Sequence, residues 1–205
     1  FDANKFVTGI SVNDYRELSD SKDKPLFNRA LRGQYPPGST LKPMLAVAAL
    51  DSGATTRDYT IWDPGHFRLN QGGRVWRDWK RTGHGWVDLK DAVAESCDVY
   101  FYEIARRLGV DRLSETAKNF GLGKRVLNNF SEERSGVVPS TSWKKKYIGQ
   151  NWYLGETLHS GIGQGYFQST PLQLCLMTAQ IANGGFEIKP RIIFEGKNDD
   201  LRDYL

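Results

Sequence analysis

The chain has few of the features that usually mark a function. Of its 205 residues only two are cysteine, Cys97 and Cys175, and only three are histidine. Two cysteines are too few for a disulfide framework and say little about redox compartment. The longest stretch free of Asp, Glu, Lys and Arg runs from Thr157 to Phe186, and Gly161, Gly163, Gly165, Ser169 and Pro171 interrupt it. It is therefore not read as a bilayer span. No start methionine, signal peptide or anchor motif is found, and Phe1 reads as a cut from something longer. Charge of one sign is scarce too: 28 basic against 24 acidic residues give +4. That mild excess does not point to nucleic acid. There is no internal repeat and no low-complexity segment. With 39% hydrophobic and 25% charged residues, the chain suits a globular fold and not wholesale disorder.

Punctuation by glycine and proline organises the rest. Residues 1–35 read as loops and short pieces. Pro36-Pro37-Gly38 is a strong turn, and the apolar density from Leu41 to Leu50 predicts a buried helix over about 39–52. Pro43 is tolerated there only in the first turn, where its missing N–H has no intrahelical partner. Residues 54–87, with three tryptophans between Trp62 and Trp79 and several glycines, predict an ordered but mostly irregular segment. Asp88 is a candidate cap for a helix through Leu89–Ala94. Two further helices follow, Val99–Leu108 stopped by Gly109 and Asp111–Phe120 stopped by Gly121. Residues 122–156 read as polar and loop-rich. Thr170 with Gln173 forms a capping box, with Pro171 at the first position of a last helix. Ile188–Phe194 is a candidate edge strand because it contains Pro190.

One tetrapeptide carries chemistry. In Ser39-x-x-Lys42 the two side chains share a helix face, so a lysine amine can reach a hydroxyl at a helix start. A free serine hydroxyl is a weak nucleophile and needs such a base. Alone, the pattern is as readily an N-cap serine followed by a solvated lysine.

Its surroundings are more specific. Tyr35-Pro36-Pro37-Gly38-Ser39-Thr40-Leu41-Lys42-Pro43 resembles the nucleophile segment of penicillin-binding transpeptidases. Asn28-Arg29-Ala30, Glu95-Ser96-Cys97-Asp98, Glu132-Glu133-Arg134-Ser135-Gly136, Gly161-Ile162-Gly163-Gln164-Gly165-Tyr166 and Thr170-Pro171 extend the likeness in the same order. Together they resemble the class B penicillin-binding protein 2 subfamily. The resemblance implies an α+β fold of the penicillin-binding transpeptidase and serine β-lactamase type. Here it would be mostly the helical part, spanning 1–205, with much of the central sheet missing and a helical subdomain over about 88–183.

It also implies roles. Ser39 would be the nucleophile, Lys42 the general base, Ser96 a proton relay to the leaving amine, and Asp98 an orienting carboxylate or a helix cap. Asp98 stands where the wider family has Asn, as is common in this subfamily. The third motif, Lys-Thr/Ser-Gly, is absent. Lys80-Arg81-Thr82-Gly83 does not match it and falls on the wrong side of Ser96. The implied reaction is peptidoglycan D,D-transpeptidation, with stem peptides as substrates, β-lactams as acylating agents, and a membrane glycan polymerase and elongation-complex proteins as partners. The implied location is the periplasmic face of the bacterial inner membrane. A β-lactamase or β-lactam sensor of the same superfamily and a non-catalytic scaffold remain alternative readings.

Asp63, Asp78, His84 and Cys97 are an acceptable tetrahedral zinc set, although their spacing matches no compact zinc motif. The plain alternative is two turn aspartates, a surface histidine and a buried thiol. Some members of the subfamily hold zinc with these four residues, which implies a structural metal clipping about 54–97. Lys144-Lys145-Lys146 reads as a solvated basic face, and no nucleic acid is expected. Tyr100, Phe101, Tyr102 and Phe167 read as core. The Gly161–Gly165 glycines allow close backbone approach, which a substrate groove could use.

Overall fold

Helices dominate the computed structural model, which describes residues 1–127 and 130–191. Helix α1 spans Val12–Asp20 and α2 spans Arg29–Arg32. A 3-10 turn, Gly38–Leu41, leads into α3, Lys42–Asp51, with Pro43 in its first turn. Four three-residue strands follow: β1 Ile61–Asp63, β2 His66–Arg68, β3 Val75–Arg77 and β4 Gly85–Val87. Then come α4 Leu89–Ala94, α5 Asp98–Leu108, α6 Val110–Asn119, α7 Thr141–Ile148, α8 Leu154–Gly161 and α9 Pro171–Ala182.

Helix α5 is the hub, packed by α3, α4, α6 and α8. Tyr100, Phe101, Ile104 and Ala105 are fully buried on it, as are Leu41, Met44, Leu45 and Ala49 around α3. The tyrosines and phenylalanine therefore belong to the core, as expected. Helix α8 crosses α5 closely because position 161 is glycine. A Cβ there would stand 2.4 Å from the Ala105 Cβ.

Two expectations fail here for lack of apolar signal. Helix α1 buries no residue, so no apolar stripe marked it. Helix α7 lies in the 122–156 stretch read as loop-rich, and α8 begins at its end and runs beyond it to Gly161. Gly155 and Gly161 dilute the pattern of α8, and α7 begins at the cap Ser140, which accepts from the Trp143 N–H. The segment 54–87 is also more regular than expected. Strand β1 pairs antiparallel with β4, and β2 with β3 inside them, as two nested ribbons. Strands of three residues are too short to show alternation in sequence. Among the described residues these ribbons are the only sheets. Residues 188–191 carry no strand, and the rest of the expected Ile188–Phe194 strand lies outside the described residues.

The nested ribbons need two glycines. Gly65 and Gly83 both have positive φ, and Cβ atoms there would meet Arg81 O at 2.2 Å and Asp63 O at 2.1 Å. This close approach of two turns brings distant residues of the segment to one point.

Candidate active site and metal cluster

Ser39 is exposed on the 3-10 turn, one residue after Gly38. Lys42 opens α3 and is 2% exposed. Its Nζ donates to Ser96 O at 2.8 Å, to Ser96 Oγ at 3.1 Å and to Asp98 Oδ1 at 2.6 Å. It also lies over the Phe101 ring. The second motif, 54 residues further along the chain, thus closes on the first. All three hydrogen bonds of the Lys42 amine go to that motif and none to the Ser39 hydroxyl, while the Lys42 backbone N–H donates to Ser39 O. This differs from the spacing argument, which aimed the amine at the Ser39 hydroxyl. The competing acceptors on the α4–α5 connection were not visible in a local pattern.

Ser96 adopts φ +53°, the left-handed region that a non-glycine residue rarely occupies. Its carbonyl is held by Lys42, and the turn by the Cys97 N–H to Ala92 O bond. Asp98 does not cap α5. Cys97 does, its Sγ accepting from the Tyr100 N–H at 3.4 Å. Burial pushes the Asp98 carboxyl above its ordinary value, against the pull of Lys42, and the nearby Asp78 charge adds to the rise.

Immediately behind this motif sits a four-residue cluster. One ligand atom each from Asp63, Asp78, His84 and Cys97 lies within 4.8 Å of all the others. Tetrahedral zinc holds its donor atoms about 3.5 Å apart, so the cluster is close to the required size. His84 Nδ1 stands 2.7 Å from Asp63 Oδ2 and 3.7 Å from Asp78 Oδ1. The Cys97 thiol donates to Asp63 Oδ2 at 3.4 Å. The second oxygens are oriented by backbone: Gly65 N–H on Asp63 and Val99 N–H on Asp78. Both aspartate side chains are fully buried, which demands compensating positive charge. Burial drives the Cys97 thiol far above its usual value, with the two aspartate charges adding to the rise. A dication would reverse that balance. The donor set and its burial therefore fit a metal ion.

Sequence reasoning missed two features. Lys144 is not solvated but 1% exposed, paired with Glu156 at 2.5 Å. The close approach that Gly163 allows is to the chain's own Gly38. The Gly38 N–H donates to Gly163 O at 2.8 Å, and a Cβ on Gly163 would stand 2.2 Å from Gly38 O. Repeated glycines around Gly161–Gly165 were the available signal.

A serine on a tight turn, a buried lysine behind it and a Ser-x-Asp turn capping the next helix together define the acyl-serine, serine–lysine class of protein. The chain belongs to the penicillin-binding protein transpeptidase domain family, whose model matches residues 1–202. It is 43% identical over 193 residues to the peptidoglycan D,D-transpeptidase MrdA of Acinetobacter baumannii, covering 94% of this chain and 29% of that protein. The MrdA of Escherichia coli K12 is 42% identical over 199 residues, covering 97% of this chain and 31% of that protein. Pseudomonas aeruginosa PBP2 in complex with WCK 5153 is similar in structure, with TM-score 0.87 and 50% identity over 93% of this chain and 42% of that one. The Helicobacter pylori complex of PBP2 with MreC aligns with TM-score 0.81 and 38% identity, over 90% of this chain and 34% of that one. The chain spans about 30% of the length of the curated relatives named.

Proposed function

We propose that the complete protein is a peptidoglycan D,D-transpeptidase. Ser39 Oγ attacks the carbonyl of the penultimate D-alanine of a stem peptide. The C–N bond to the terminal D-alanine breaks and an acyl ester on Ser39 forms. Lys42 acts as the general base that takes the Ser39 proton, which then passes through Ser96 to the departing amine. The amine of a second stem then takes the acyl group and frees Ser39. Asp98 orients Lys42 throughout. The observation that carries this reading is the Lys42 Nζ to Ser96 Oγ bond, 3.1 Å, beside the turn that bears Ser39. Ser39 N–H, at the head of its turn, would supply one oxyanion donor. The Lys-Thr/Ser-Gly strand that completes such a site has no counterpart in this sequence.

Asp63, Asp78, His84 and Cys97 would hold a structural zinc ion, supported by their convergence and burial. With four protein ligands it would supply positive charge and rigidity and leave no open position for water. β-Lactams would acylate Ser39 in place of the stem peptide. A membrane glycan polymerase and elongation-complex proteins are proposed as partners, supported by the similarity to PBP2 of the MreC complex and to a peptidoglycan synthase complex. The proposed place is the periplasmic face of the inner membrane, with an anchor outside this chain. No helix of the described residues is long and apolar enough to cross a membrane.

Intact-mass measurement after exposure of the complete protein to a penicillin tests the assignment. A single adduct that Ser39→Ala abolishes is expected. An adduct that persists in Ser39→Ala would refute the nucleophile.

A further inference from the structure

The turn that carries Ser39 is held from outside by one strap of chain, residues 163–169. At one end Gly163 O accepts from the Gly38 N–H. At the other, Tyr35 and Ser169 exchange both backbone hydrogen bonds, each 2.9 Å. Gly38 itself has φ +58°, a conformation that glycine adopts without strain. Where the strap goes, Gly38 and the Ser39 N–H must follow, because Gly163 leaves no slack against Gly38 O.

The middle of the strap is tied at Tyr166. Its hydroxyl donates to Glu156 Oε1 at 3.3 Å. The same oxygen receives Lys144 Nζ, and Glu156 Oε2 accepts from the Tyr153 N–H at 2.8 Å. Lys144 is enclosed by the rings of Tyr153, Tyr166 and Trp152, 4.7 to 6.0 Å from its Nζ. Tyr166 also packs on Trp143 and Trp152. A buried ion pair is weak evidence of stabilisation, since well-packed apolar residues often do as well. What directional donors add is a fixed orientation for the groups they meet.

We propose that Glu156, set by Lys144, is a positioning residue for acylation: through Tyr166 it fixes the 163–169 strap and with it the Ser39 turn. This rests on the transpeptidase reading above and adds a remote determinant of the same site. No part of the cluster touches the reacting atoms. Loosening the tether therefore lowers the rate of bond formation in the bound complex more than binding itself.

The test is the acylation of the complete protein by a chromogenic cephalosporin, resolved into Kd and the first-order constant k2 per acylatable molecule. Glu156→Gln is expected to lower k2 about tenfold, with Kd changed less than about twofold. Tyr166→Phe, which keeps the ring and its packing, is expected to lower k2 about threefold while the melting temperature falls by only a few degrees. If Glu156→Gln fails to fold, Tyr166→Phe decides alone. Wild-type acylation with k2 unchanged in the variants that fold would overturn the positioning role and leave the transpeptidase reading standing. A wild type that is not acylated at all would overturn that reading and this proposal with it.

Discussion

At the scale of single residues, Lys42 shows why burial changes the design of a test. From sequence it is a base whose removal spares the core. In the structure it is 2% exposed and ion-paired with Asp98, so Lys42→Ala would leave a cavity and an unpaired carboxyl. Lys42→Met keeps the volume and removes the base. Its β-lactam acylation rate is expected to fall about 10²–10⁴-fold, and a near-normal rate would remove Lys42 from the mechanism. Gly163→Ala is a second test at this scale. Its φ is +67° and its Cβ would collide with Gly38 O, so it should impair acylation more than a surface glycine such as Gly149→Ala does. Equal acylation rates would show that the Gly163–Gly38 contact is not limiting. The Ser39-x-x-Lys42 segment and the Ser-x-Asp turn were legible because they are short motifs with a local spacing. That Ser96 and Asp98 meet Lys42 was implied by the resemblance alone, since more than fifty positions separate them, and the Ser96 carbonyl was not foreseen as an acceptor.

At the scale of elements, the nested ribbons and α5 meet at one cluster. The four candidate zinc ligands could be named from their residue types and the family resemblance. The turns that gather them could not, because the strands are too short for periodicity to show. If zinc joins the ribbons to α5, Cys97→Ser should lower zinc content and melting temperature together. Cys175→Ser should change neither metal content nor cluster, since Cys175 is exposed and outside it. Full zinc in Cys97→Ser, by elemental analysis, would remove the thiolate from the set. Helices α7 and α8 were hidden in sequence by glycines and by a lysine run that looked solvated. Their junction, Lys144–Glu156, predicts a pH dependence. Burial raises the Glu156 carboxyl, but the hydrogen bonds from Lys144, the Tyr153 N–H and Tyr166, with the Lys144 charge, together outweigh it, so its value is lowered on folding. A carboxylate lowered in this way contributes stability above its unfolded value, about 4.3, and loses it as pH falls through the folded value. Denaturation at neutral pH should therefore find Glu156→Gln less stable than wild type by about 3 kcal/mol, and the gap should narrow in acid. A gap that is constant with pH would mean that the pair carries no charge-dependent stability.

At the scale of the molecule, the chain is a mostly helical member of the penicillin-binding protein transpeptidase domain family. It carries Ser39, Lys42, Ser96 and Asp98, and the only sheets among its described residues are two ribbons of three-residue strands. The overall class was legible because motif order along the chain is a global property, one that survives errors in individual helices. The reaction proposed for the complete protein is transfer of an acyl group from one stem to another through Ser39. The most direct measurement supplies the complete protein with glycan strands bearing pentapeptide stems and follows D-alanine release and dimeric stems by mass spectrometry. The account predicts both products in wild type and neither in Ser39→Ala. Dimers formed equally by Ser39→Ala, or D-alanine released by wild type with no dimers, would contradict it.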